Sequence, residues 1–161
     1  MVERVHMSKT GHTRLREELI RLERKDRIEV IKAIEVARAH GDLKENAEYH
    51  AAKERQGFIE GRIMELKDKL GRAEVIDCSN VSCDRVVFGV NVTVVDLDTD
   101  EEVTYQLLGP EEADVKNGII SIFSPWGKAM IGKNVGDEFE VKTPSGIKPL
   151  EIMEIQQGSM P

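Results

Sequence analysis

Tyr49, Ala52, Gln56, Ile59, Ile63, Leu66 and Leu70 follow one another at alternating steps of three and four, with charged residues in most of the gaps. Six of these seven positions are apolar or aromatic, which is the heptad pattern of a helix with one buried seam. A second seam precedes it. Leu15, Leu19 and Leu22 keep the same spacing, the pattern blurs at Lys25 and Asp26, and it resumes at Val30, Ala33/Ile34 and Ala37. No proline occurs between Thr13 and Ala73, and Glu, Lys, Arg, Leu and Ala dominate, all good helix formers. Ser8 or Thr10 is placed to start the first helix. The stretch therefore predicts two helices joined at His40-Gly41-Asp42-Leu43-Lys44-Glu45-Asn46 and packed antiparallel as a coiled-coil hairpin.

Each predicted helix has about 28 residues, hence roughly 42 Å of length at 1.5 Å per residue. Two helices side by side have no room for a catalytic pocket, so the hairpin reads as a spacer that holds its tip at a distance. A coiled coil that works by self-association is the other reading of the same periodicity. The break at the tip argues against one continuous rod.

Beyond residue 75 the period changes. Alternating or β-branched runs cover Ala73–Cys78, Val86–Leu97, Glu102–Leu108, Ile119–Phe123, Glu138–Thr143 and Pro149–Ile155. Turn signals separate them at Asp98-Thr99-Asp100, Leu108-Gly109-Pro110 and Pro144-Ser145-Gly146. The segment from Ser124-Pro125 to Gly132 reads as a short helix with Pro near its start and Gly just past its end. The expectation is a twisted antiparallel sheet with one short helix on it.

Charge sharpens the division. Residues 1–75 carry 17 Lys/Arg against 15 Asp/Glu, and residues 76–161 carry 6 against 15. Two units are expected, 1–75 and 76–161. The overall charge of −7 disfavours binding of DNA or an anionic membrane through bulk charge. One Trp, two Tyr and four Phe are too few for a platform that stacks single-stranded nucleic acid. Cys78 and Cys83 offer neither a disulfide framework nor a paired zinc motif. No apolar run is long enough to span a membrane, and the N-terminus has no apolar signal-peptide core. A cytoplasmic setting is expected. His6, His12, His40 and His50 have no ligand spacing and read as surface residues.

The tip carries the candidate chemistry. Gly41 suits the residue after a helix end, where a positive φ is needed. Asp42 and Glu45 have the spacing of a capping box, with Asp42 as cap and Glu45 at the third helical position. The same two carboxylates, presented together at the end of a long arm, could also reach a metal. Mg²⁺ usually takes one or two protein carboxylates and keeps waters or substrate phosphates as its other ligands. Arg38, Lys44, Lys53 and Arg55 lie around the tip, either as a solvated surface or as a basic face for a nucleic-acid backbone.

The run ARAHGDLKENAEYHAAKERQGFIEGRI, residues 37–63, closely resembles the bacterial Gre transcript cleavage factors, of the GreA type. LREELIRL, EVIDCSNV and the long stretch from VVFGVNVTVVDLDTD to FEVKTPSG extend the resemblance over essentially the whole chain. It implies an α+β fold, an N-terminal antiparallel α-helical coiled-coil hairpin followed by an FKBP-like antiparallel β domain with a short helix. It implies a factor, not itself an enzyme, that binds bacterial RNA polymerase as a monomer. The coiled coil would enter the secondary channel and stimulate the polymerase's own cleavage of backtracked RNA. Asp42 and Glu45 match the family's tip acids, which share Mg²⁺ with the polymerase active site. Arg38 and Lys53 match the basic patch that meets the nascent RNA 3′ end, Lys53 standing where many relatives have Arg. Ser124 and Pro125 match the loop that docks on the polymerase, followed here by Gly127-Lys128 where relatives often have Ala-Arg. Two other functions go with such a fold: a channel-binding antagonist without cleavage stimulation, and a peptidyl-prolyl isomerase. The second would need an apolar pocket lined by rings drawn from Phe88, Tyr105, Phe123, Trp126 and Phe139.

Overall fold

The computed structural model describes residues 3–42 and 45–158. The chain forms two compact units. The first comprises residues 12–73 and Glu3, and the second residues 74–158 together with Arg4–Gly11. The units are thus not two consecutive blocks. The segment before the hairpin belongs to the β-rich unit, where strand β1 (Val5–Ser8) pairs with β2 (Ala73–Ile76).

The first unit is a helical hairpin. Its first arm consists of α1 (Lys9–Arg21), one π-helical turn (Leu22–Asp26) and α2 (Arg27–Arg38). Arg21 and Arg27, which flank the π turn, both keep right-handed helical angles, so the arm is continuous. The amide of Arg27 bonds to the carbonyl of Leu22, five residues back. The π turn has a sequence cause. Leu22 and Val30 are both buried but stand eight apart, one more than the seam's repeat of seven. One wide turn absorbs the extra residue and returns Val30, Ile34 and Ala37 to the buried side. Lys25 and Asp26, where the seam blurs, lie inside that turn.

The second arm is a single helix, α3 (Ala47–Gly71). Ile59, Ile63 and Leu66 are buried, and the other seam positions, Tyr49, Ala52, Gln56 and Leu70, are half-buried. Full burial of a Leu or Ile contributes about 1.5–3 kcal/mol, so the seam holds the hairpin together. Charge pairs on either side of it set the register. Arg27 donates to both carboxylate oxygens of Glu60 at 2.7 and 2.8 Å. Arg62 does the same to Glu18 at 2.8 and 3.1 Å. Lys67 meets Glu23 at 2.8 Å.

The second unit is built on a five-stranded sheet in the order β5-β4-β3-β7-β6. Its strands are β3 (Asn91–Asp96), β4 (Glu102–Leu108), β5 (Ile119–Ser121), β6 (Glu138–Thr143) and β7 (Gly146–Gln156). Alternation puts Val92, Val94, Phe139 and Val141 into one core with Leu107, Ile152 and Met130. Helix α4 (Pro125–Met130) contributes Met130 to that core.

The sheet departs from the expected all-antiparallel arrangement. β4 and β5 run parallel, with Leu107 beside Ile120. The Gly109-Pro110 turn signal does not close a hairpin. The chain travels on through a short 3-10 turn (Val115–Asn117) and reverses at Gly118, whose φ is 75°. That detour lets β5 re-enter in the direction of β4. The run Val86–Leu97 is also only partly a strand. Residues 86–90 enter the core irregularly, with Gly89 at φ 94° and its backbone close against Cys78.

Candidate functional site at the hairpin tip

The first arm ends in a tight turn. The amides of His40 and Gly41 bond back to the carbonyls of Ala37 and Arg38 at 3.1 and 3.4 Å. Gly41 has a φ of 113°, and a side chain there would meet nothing within 4 Å. Glycine is therefore needed for its backbone conformation, as the sequence suggested, and not for space.

The second arm starts differently from expectation. The cap of α3 is Asn46, not Asp42. Asn46 has extended backbone angles, and its side-chain oxygen accepts from the amide of Tyr49 at 3.0 Å. Its side-chain nitrogen donates at 2.6 Å to the carbonyl of Ala37 on the other arm. Asp42 and Glu45 thus form no capping box. Both lie before the helix, and both are exposed. The anionic side chain in the first turn is Glu48, which sits favourably at the positive helix end. The signal for the true cap was present, since Asn directly precedes the helix-forming run at Ala47.

Asp42 and Glu45 share one surface of the tip. With His40, Asn46, Ala47 and Glu48 they line one open concavity of about 470 Å³. Their oxygens are hard donors of the kind Mg²⁺ takes, and two carboxylates supply part of its shell. Among the described residues, no group of three or more His, Cys, Asp or Glu is placed to hold a metal ion. Two carboxylates alone do not complete such a shell.

The basic residues have defined surroundings. The guanidinium of Arg38 lies over the ring of Tyr49, 5.9 Å from its centre, a cation–π arrangement that restrains a long side chain. Lys53 is exposed, one helical turn beyond Tyr49 on the same side of α3, and bonds to Gln56 at 3.3 Å. Arg55 pairs with Glu29 across the hairpin at 3.8 Å. Lys44 lies outside the described residues.

In the second unit, Ser124 is the cap of α4. Its hydroxyl accepts from the Gly127 amide at 3.0 Å and donates to the Ser121 carbonyl at 2.6 Å. Pro125 is exposed at the first helical position, beside exposed Phe123. Gly127 is dictated by packing, because a Cβ there would overlap the Ser121 carbonyl. The rings of this unit are dispersed. Phe139 is in the main core, Tyr105 packs on Trp126, and Phe88 joins a separate cluster with Cys78 and Leu108. An apolar pocket of about 560 Å³ contains only Phe88 among them. No helix among the described residues is long and apolar enough to cross a membrane.

The chain thus joins a helical hairpin, with two acids and basic residues at its tip, to a mixed β-sheet unit. Residues 5–75 match the family model of the transcription elongation factor N-terminal domain, and residues 81–157 that of the GreA/GreB C-terminal domain. The chain belongs to the GreA/GreB family of transcription elongation factors. It is 66% identical to transcription elongation factor GreA of Desulfotalea psychrophila, with 98% of each chain covered. Identity to GreA of Caulobacter vibrioides is 56%, covering 96% of this chain and 99% of that one. A solved structure of GreA factor homolog 1 of Thermus thermophilus is 31% identical, with a TM-score of 0.44 over 96% of this chain and 99% of that one.

Proposed function

We propose that this elongation factor binds bacterial RNA polymerase, passes its hairpin into the secondary channel and stimulates cleavage of backtracked RNA at the polymerase's own active centre. The observation that supports this most is the placement of Asp42 and Glu45. They are exposed on one concavity at the start of a 25-residue helix whose cap is Asn46. In this reading the protein is not itself the enzyme, and its two carboxylates supply only part of a hydrolytic site. It acts as a monomer, in the cytoplasm, on an enzyme that supplies the pocket, the substrate and the remaining ligands.

Mg²⁺ held between the tip acids and the polymerase would activate a water and offset negative charge on the phosphodiester. The roles of this chain's own residues are narrower. Asp42 and Glu45 supply anionic oxygens. Arg38, restrained by Tyr49, and Lys53 attract the backbone of the nascent RNA 3′ end. Lys53 acts as a point charge without the planar fork of Arg. Ser124 shapes the start of α4, so that Pro125 is offered at the surface for docking.

The test is an elongation complex stalled in a backtracked state, with and without the protein. The expected result is shortened RNA and resumed synthesis. Bound protein that leaves RNA length unchanged would instead identify a channel-binding antagonist.

A further inference from the structure

We propose that Asn46 is a positioning residue for the tip carboxylates, acting through the hydrogen bond it sends across the hairpin. This rests on the reading of Asp42 and Glu45 as the acids used in cleavage. Its side-chain oxygen serves α3 through the Tyr49 amide, as any cap would. Its side-chain nitrogen does something a cap does not require, and at 2.6 Å holds the Ala37 carbonyl at the end of α2. One planar amide thus ties the two ends of the loop that carries Asp42 and Glu45.

The neighbours show why that tie reaches the functional groups. Glu45 immediately precedes Asn46, and Arg38 immediately follows Ala37. The Ala37 carbonyl also accepts from the His40 amide at 3.1 Å, the first bond of the turn that leads to Asp42. Arg38 lies over Tyr49, whose own amide Asn46 holds. Cutting the cross-arm bond would let the carboxylates drift apart with both helices intact. Misplacement by about 1 Å costs roughly a hundredfold where geometry governs a rate.

Asn46→Ser separates the two jobs. Serine caps a helix about as well as asparagine, but its single short hydroxyl cannot serve Tyr49 and also reach Ala37. In the free, metal-free protein, amide exchange followed by NMR should accelerate about tenfold or more at His40 and Gly41, while Tyr49 stays protected. With polymerase, cleavage at limiting Mg²⁺ should fall roughly ten- to hundredfold, recover in part at high Mg²⁺, and leave polymerase affinity unchanged. Unchanged exchange, or unchanged cleavage at limiting Mg²⁺, overturns the proposal. So does a cleavage defect that extra Mg²⁺ does not relieve. Asp42→Asn in the same assay separates the two levels. If it is inactive while Asn46→Ser matches the wild type, only the positioning role falls. If Asp42→Asn is fully active, the carboxylate reading falls and the positioning role with it.

Discussion

The carboxylate of Glu112 accepts hydrogen bonds from both the backbone amide and the hydroxyl of Ser8, in a setting where both residues are buried. The Ser8 hydroxyl in turn accepts from the Gly11 amide at 3.1 Å, which makes Ser8 the cap of α1. A negative charge is thereby set at the positive end of that helix. The first turn of α1 accordingly belongs to the β-rich unit, while the rest of the helix belongs to the hairpin.

Gly11 should be intolerant of substitution for that reason. A Cβ at this position would overlap the Glu112 carboxylate. Gly11→Ala is expected to destabilise the β-rich unit by about 1–3 kcal/mol. Glu112→Ala, which strands a buried amide and hydroxyl, should cost a similar ~1–3 kcal/mol. The double variant should cost less than the two losses added, because the overlap disappears with the carboxylate. Urea unfolding followed by Trp126 fluorescence measures all three, and strict additivity would contradict the packing described.

The capping assignment gives a contrast in stability. Asn46→Ala should cost about 1 kcal/mol, the usual price of a lost cap. Asp42→Ala should cost less, because the cap of α3 is Asn46. Thermal melting by circular dichroism distinguishes them. An Asp42→Ala variant that melts as early as Asn46→Ala would restore the capping box to Asp42.

Charge reversal at Arg38 or Lys53 tests the basic flank. Either change to Glu should weaken cleavage of backtracked RNA more than binding to polymerase, because repulsion from phosphate acts at the tip. Crosslinking to RNA should also lose part of its salt dependence. An equal fall in affinity and cleavage would make the flank a docking element instead.

The hairpin should lose stability in acid. The hydrogen bond from Arg27 holds Glu60 below the ordinary 4.5, burial opposing it. Lys67 acts likewise on Glu23, and Lys69 with Arg62 on Glu65. Each folded value lies below the unfolded one. The contribution is therefore complete above the unfolded range and is lost as pH falls through 4.5 toward the folded value. Melting temperature should hold steady down to about pH 5 and decline below it. Glu60→Gln should flatten that decline, and added salt should shrink it. A decline of the same steepness in Glu60→Gln would show that the pair plays no part.

Gly57 and Gly61 offer a gain in stability. Both are exposed inside α3, and a Cβ at either meets nothing within 4 Å. Gly57→Ala should stabilise the hairpin by about 0.5–1 kcal/mol by lowering the entropy of the unfolded chain. Helix melting by circular dichroism reads this, and a lower melting temperature would contradict the open space around Gly57.

The sequence by itself determined what depends on short-range period and composition. The seam of α3 is visible residue by residue, because one buried face in a helix demands steps of three and four. The blur at Lys25 and Asp26 marked the π turn without naming it. Strands β4 and β6 were legible to the residue from alternation, Gly41 from its turn, and Ser8 as one of two starts for α1. The acids Asp42 and Glu45 were found because they are close in sequence. Tertiary structure decided everything that joins distant residues. The sequence holds no sign that Asn46 reaches back to Ala37, that Glu112 receives Ser8, or that β1 leaves the hairpin to pair with β2. Nor does it show that β5 lies parallel to β4, since both directions present the same alternation. Local pattern reports which face of an element is buried, and the pairing of faces is set by long-range packing and by hydrogen bonds that close only in the folded chain.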